Sequence, residues 1–122
     1  MAELCGNLAA GKPSTIDGTG EQSRDYVYVD DVARANVLAL EEEPLPGAYN
    51  VGTGIESSVN RLYGMLQDIS GKNLPPRNGP GKPGEQLRSC VDPSRAGRVF
   101  GWRPEVSLAD GLRETLRYFG AR

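Results

Sequence analysis

Apolar residues along the chain recur at two spacings, and each spacing predicts a different kind of element. Helical spacing dominates. Leu4 and Leu8 share one face of a short helix over residues 1–10, ended by Gly11 and Pro13. Ala33, Val37 and Leu40 form a stripe on a second helix, which runs to Glu42 ahead of Pro44 and Pro46. Asp30 or Asp31 opens it, since a carboxylate suits the free N–H groups and the positive end of a helix. Val59, Leu62, Leu66 and Ile69 recur in "SSVNRLYGMLQDIS", capped by Ser58 and stopped by Gly71. Arg61 stands where a full capping box has Glu or Gln. Leu108, Leu112, Leu116 and Phe119 mark the last helix, with Ser107 and Asp110 as a capping-box-like pair at its start.

Runs of β-branched and aromatic residues predict strands at "DYVYV" (25–29) and "GAYNV" (47–51), with "LRSCV" (87–91) as a shorter one. "DPSRAGRVFG" reads as a short helix with Asp92 as cap, Pro93 at the first helical position and Gly101 past the end. "IDGTGEQ" is polar and glycine-rich, and "LPPRNGPGKPG" (74–84) predicts an exposed, irregular connection of the kind that carries binding groups. Strands and helices alternate, so the expected fold class is α/β, a small sheet with covering helices. At 122 residues, 38% of them apolar, the chain sustains one modest core rather than a two-domain enzyme.

Charge and composition then narrow the chemistry. The balance of 14 basic and 16 acidic residues argues against a non-specific nucleic-acid footprint. No apolar run is long enough to span a bilayer, and "MAELCGNLAAG" carries no basic region ahead of its apolar residues, so a cytoplasmic chain without membrane contact is expected. In that setting Cys5 and Cys90 are expected to be reduced thiols. Histidine is absent, which removes the commonest metal ligand and general base and excludes a serine triad. No tyrosine has a lysine four residues on: the residues four after Tyr26, Tyr28, Tyr49, Tyr63 and Tyr118 are Asp30, Val32, Thr53, Gln67 and Arg122. The composition offers no catalytic core.

One motif suggests a phosphate cradle. Gly52, Gly54 and Ser57 give G-x-G-x-x-S after "YNV", close to the dinucleotide fingerprint. Asp68 falls too early for the ribose-binding acid and lies inside a predicted helix, and no second βαβ unit accompanies the loop, so the glycines read as a tight strand-to-helix turn. Arg24 stands where its planar fork can grip a phosphate, or pair with Asp25 or another carboxylate. Lys82, Glu85 and Arg88 lie close together on a flexible loop, either as a small polar site or as a solvated face. Asn50 interrupts an apolar strand, and its amide needs a ligand or a backbone partner.

Taken in order, "SRDYVYVDDVARANVLALE", "YNVGTG", "KPGEQLRS", "DPSRA" and "GWRPEVSLADGLRETL" resemble the C-terminal third of the extended short-chain dehydrogenase/reductase family, the NAD-dependent epimerases and dehydratases of sugar nucleotides. The UDP-glucose 4-epimerase-like branch is the most similar, and the resemblance covers residues 11–122. It implies the nucleotide-sugar-binding portion without its Rossmann domain, with NAD bound in the full-length family and not by this chain alone. The family's early glycine fingerprint and Y-x-x-x-K pair are missing, so the resemblance implies no turnover from these residues alone.

The same resemblance assigns site residues. Arg24 matches an arginine on the diphosphate of the bound UDP-sugar, and Asn50 a residue reaching the same region. Lys82 stands in place of the arginine of R-P-G-E, Glu85 matches the residue facing the ribose, and the backbone at Thr15 and Ile16 corresponds to the stretch beside the nucleobase. Lys82 keeps the charge and loses the fork, which weakens its directional grip on phosphate. Asp17 and Thr19 depart from the family's I-Y-G-D-G pattern, which alters packing beside the base. Two other roles follow from the same resemblance: a non-catalytic interaction module that self-associates, or a chain completed by a separate Rossmann polypeptide.

Overall fold

The computed structural model describes residues 1–44 and 46–120. Five helices and four short strands follow in the order α1 (Ala2–Ala9), β1 (Thr15–Asp17), β2 (Ser23–Arg24), α2 (Val29–Glu42), β3 (Ser57–Ser58), α3 (Val59–Ser70), β4 (Arg77–Gly79), α4 (Ser94–Phe100) and α5 (Leu108–Tyr118). The α/β class is as expected, but the sheet is divided into two. β1 pairs in parallel with β4, Ile16 opposite Asn78, and β2 pairs antiparallel with β3, Arg24 opposite Ser57. None of the described helices is long and apolar enough to cross a membrane.

Two apolar clusters hold these elements. The larger joins α1, β1, α3 and α5 through Cys5, Leu8, Ile16, Leu62, Tyr63, Leu66, Leu112 and Leu116. The leucines among them belong to the predicted helical stripes, with Leu4, Val59, Ile69, Leu108 and Phe119 packed at the margin, while Cys5, Ile16 and Tyr63 join from outside those stripes; each fully buried leucine contributes about 1.5–3 kcal/mol. The smaller cluster joins α2 to α4 through Ala35, Ala96, Phe100 and Trp102, and the Trp102 indole N–H donates to the Asp31 carbonyl at 2.8 Å. Cys5 is buried, Cys90 is exposed, and both are free thiols.

Local chemistry fixes the helix ends. Ser58 Oγ accepts from the Arg61 N–H at 3.1 Å, and Gly71 ends α3 at φ 70°, as the spacing predicts. Ser107 Oγ likewise accepts from the Asp110 N–H at 3.1 Å, so α5 starts where expected. At α4 the expectation is off by one residue: Pro93 is the N-cap, while Asp92 Oδ1 accepts from the Ser94 N–H at 3.0 Å. The Lys72 ammonium donates to the Leu8 and Ala9 carbonyls and closes the C-terminal end of α1.

Several expectations need correction. Residues 25–29 are not a strand: only Ser23 and Arg24 enter a ladder, and Val29 already starts α2. Residues 47–51 and 87–91 form no strand either, beyond an isolated parallel bridge between Ser23 and Arg88. An apolar, β-branched run reports burial on a pleated surface, and a strand exists only where a partner supplies hydrogen bonds. The reverse error falls in the Pro- and Gly-rich segment. There Tyr63 Oη donates to the Leu74 carbonyl at 2.6 Å and Gln67 Oε1 accepts from the Leu74 N–H at 2.8 Å, which aims the following residues alongside β1 as β4.

The start and face of α2 also differ from expectation. Tyr28 is the N-cap and makes no side-chain cap bond. Asp31, expected at the cap, is instead fully buried and accepts from the backbone N–H groups of Glu105 and Val106 at 3.1 and 3.0 Å. The inward face is Asp31, Ala35 and Leu38, while the predicted stripe of Ala33, Val37 and Leu40 points to solvent.

Candidate functional site

Loop 80–88 folds back over β1 and β2 and brings charged residues together. A turn closes it, with the Glu85 N–H donating to the Lys82 carbonyl at 3.2 Å, and the Ser23 N–H holds the Leu87 carbonyl at 2.8 Å. The Arg24 guanidinium then lies 3.6 Å from Glu85 Oε1, both side chains about a third exposed, at 32% and 29%. Lys82 Nζ lies 3.4 Å from Asp17 Oδ2 at the end of β1. Two cations and two carboxylates from three segments, β1, β2 and the loop, are therefore joined in two ion pairs.

The remaining sequence-predicted site residues divide. Thr15 is exposed on β1, next to this cluster, whereas the Ile16 side chain is in the core, 2% exposed, and leaves only its backbone for contact. Asn50 is exposed, and its amide donates to the Asp92 carbonyl at 3.4 Å, a backbone partner remote in sequence. Arg88 grips Glu56 with two bonds of 3.1 and 3.0 Å, and Glu56 also accepts from Ser23 Oγ at 3.1 Å. The Arg88 hydrogen bond holds the Glu56 carboxyl below its usual range against a smaller opposing effect of burial, and the Ser23 bond adds to it. Arg88 is thus committed to β2–β3 packing and stands outside the Arg24–Glu85 pair.

Sequence reasoning missed the residue that decides the Gly-Thr-Gly loop. Asp25 Oδ1 accepts from the Thr53 N–H at 2.9 Å and from Thr53 Oγ1 at 2.6 Å, while Oδ2 accepts from the Gly54 N–H at 2.8 Å. Burial pushes the Asp25 carboxyl upward, but the bonds from Thr53, Gly54 and Val91 together outweigh it and hold the carboxyl below its ordinary value. The N–H groups that a dinucleotide phosphate would need are occupied, so the loop does not fit NAD. Nothing local in "SRDYVYV" or "YNVGTG" signals this contact, since the partners are 28 and 29 residues apart.

Two shallow apolar grooves lie on another part of the surface. One, of about 340 Å³, runs between residues 26–29 and α5, and the other, of about 270 Å³, continues past Tyr26 to Ile55 and Pro104.

Residues 1–52 match the NAD dependent epimerase/dehydratase family. The UDP-glucose 4-epimerase of Mycolicibacterium smegmatis is 39% identical over 112 residues, which is 92% of this chain and 36% of that protein. The crystal structure of the Thermotoga maritima UDP-glucose 4-epimerase with UDP-glucose superposes with a TM-score of 0.90 at 40% identity, covering 95% of this chain and 37% of that one. The Bacillus cereus UDP-glucuronic acid 4-epimerase, in complex with UDP-glucuronic acid and NAD, gives a TM-score of 0.90 at 35% identity over 98% of this chain and 39% of its own. The chain spans between a third and two-fifths of the length of these relatives. Ordered motifs, fold and relatives agree: the chain belongs to the NAD-dependent epimerase/dehydratase family, the extended short-chain dehydrogenases/reductases.

Proposed function

We propose that this chain is the nucleotide-sugar-binding portion of a sugar-nucleotide epimerase or dehydratase, and that it takes a UDP-sugar at the face built from Arg24, Lys82 and Glu85. The observation that supports this most is the back-folded loop that sets both cations against carboxylates they can exchange for a ligand. A diphosphate draws Arg24 from Glu85 and Lys82 from Asp17, since a doubly charged anion competes well with a single partly exposed carboxylate. Glu85, released, accepts from a ribose hydroxyl. Thr15 and the backbone of Ile16 flank the base, and Asn50 reaches the diphosphate by giving up its long bond to Asp92. Solved relatives carrying UDP-glucose and UDP-glucuronic acid support the ligand class.

In this reading the hydride step needs an NAD-binding Rossmann portion with a Y-x-x-x-K pair from outside these 122 residues, and the chain alone gives no turnover, in a cytoplasmic setting. A competition titration with UDP-glucose tests the site. Arg24→Ala is expected to weaken binding about tenfold, equivalent to about 1.4 kcal/mol, and Lys82→Ala by less, because Lys82 is the more exposed cation at 73%. Equal affinities for both variants and the unaltered chain would place the ligand elsewhere.

One observation favours a second role as an interaction module. Val29, Val37 and Leu40 on α2 are 67%, 50% and 81% exposed, and contiguous exposed apolar surface marks contact sites. The stripe suits a Rossmann chain or a second copy. Light scattering across a concentration series is expected to show a rising mass; a monomer throughout, with or without a Rossmann partner, would contradict it.

A further inference from the structure

The Gly-Thr-Gly loop has the donors of an oxyanion site. The N–H groups of Thr53 and Gly54 and the Thr53 hydroxyl converge on the two oxygens of one carboxylate, and Gly54 holds the left-handed φ of 76° that turns successive N–H groups the same way. Gly52 gives the close approach: a Cβ there would lie 2.8 Å from Asp25 Oδ2 and 2.3 Å from Val91 Cγ2. We propose that residues 52–54 form an oxyanion nest filled from within by the Asp25 carboxylate, so that the loop is closed to external anions in the folded protein and opens to a small oxyanion when that carboxylate is removed. This inference is independent of the UDP-sugar reading.

The bond pattern supports it. Asp25 makes one hydroxyl and three backbone N–H bonds to the loop, two of them from the Thr53 N–H shared between its oxygens at 2.9 and 3.1 Å. This is the bidentate arrangement of a bound anion rather than of a helix cap. The titratable neighbours are the Cys90 thiol, with Sγ 3.8 Å from Asp25 Oδ2, and Glu56, whose charge acts on the same thiol. Partial desolvation beside the loop first, then the Asp25 and Glu56 charges, push the exposed Cys90 thiol upward, so it stays neutral through the acid range. Arg24 adjoins Asp25 in the chain and turns to Glu85 instead.

The test is chemical rescue with formate, which matches the deleted carboxylate in size. In Asp25→Ala, formate is expected to give saturable shifts of the Thr53 and Gly54 amide resonances and to raise the Tm, while the unaltered protein shows neither. A folded Asp25→Ala that ignores formate, or equal responses in both proteins, would overturn the proposal. A second measurement needs no truncated side chain. As pH falls in the unaltered protein, the Thr53 and Gly54 amides are expected to titrate together, below the ordinary carboxylate range. Glu56 also titrates in acid, so Asp25→Asn is the control: the shared transition disappears there. Its persistence in Asp25→Asn, or its absence in the unaltered protein, would overturn the nest.

Discussion

Asp31 shows how much one side chain can organise. Its buried carboxylate takes the Glu105 and Val106 N–H groups and a 2.8 Å bond from Arg34 Nη1, while Arg34 also donates to the Arg103 carbonyl. Asp31→Ala leaves the two backbone donors without their acceptor, while Arg34 keeps Glu105 and the Arg103 carbonyl, and about 2–4 kcal/mol of stability is expected to be lost in denaturant titration. Burial pushes the Asp31 carboxyl upward, but the bonds from Arg34, Val106 and Glu105 outweigh it and hold it below its ordinary value of 3.8. A lowered folded pKa stabilises above the ordinary value, and that stability drains away as pH falls through the folded one. Asp31→Asn should therefore be less stable at neutral pH and lose less on acidification. Parallel pH profiles for the two proteins would count against the assignment.

At the same scale, Gly54→Ala and Asn50→Ala separate backbone from ligand. Nothing lies closer than 3.7 Å to a Cβ at Gly54, so its substitution costs the left-handed backbone alone, about 1–2 kcal/mol in a thermal melt. Asn50→Ala should leave the melt nearly unchanged and weaken UDP-sugar binding.

Among the elements, helices with caps and a buried stripe were legible in the sequence: α3 and α5 start at Ser58 and Ser107 and bury the leucines their spacing marks. Leu116→Ala, which empties a position only 2% exposed, is expected to cost about 2–5 kcal/mol. α2 obeys the same period but turns its apolar stripe outward, because periodicity finds a face without naming what covers it. Leu40→Lys should accordingly leave stability within about 0.5 kcal/mol while lowering self-association in light scattering. Strands were the least legible elements: β4 lies among prolines and glycines, and its place is set by the clamp on Leu74. Lys82, Glu85 and Arg88 were readable as charges around one loop and Arg24 as a separate cation ahead of it, whereas the pairing of Arg24 with Glu85, and the roles of Asp25 and Asp31, depend on contacts that no local pattern carries.

Across the whole molecule, the helical cluster of α1, α3 and α5 supports β1 and β4, and the back-folded loop hangs from that ladder and from β2. The proposed ligand face is thus built on the better-packed half, while the outward stripe of α2 lies on the half with the smaller core. On the proposed reading the charged face is built from described elements only, so this chain is expected to bind ligand by itself. The most direct test is a calorimetric titration of the chain with UDP, paired with amide shift mapping. Saturable heat is expected, with shifts centred on Arg24, Lys82 and Glu85 and absent from Thr53 and Gly54. No heat and no shifts at millimolar UDP would contradict it.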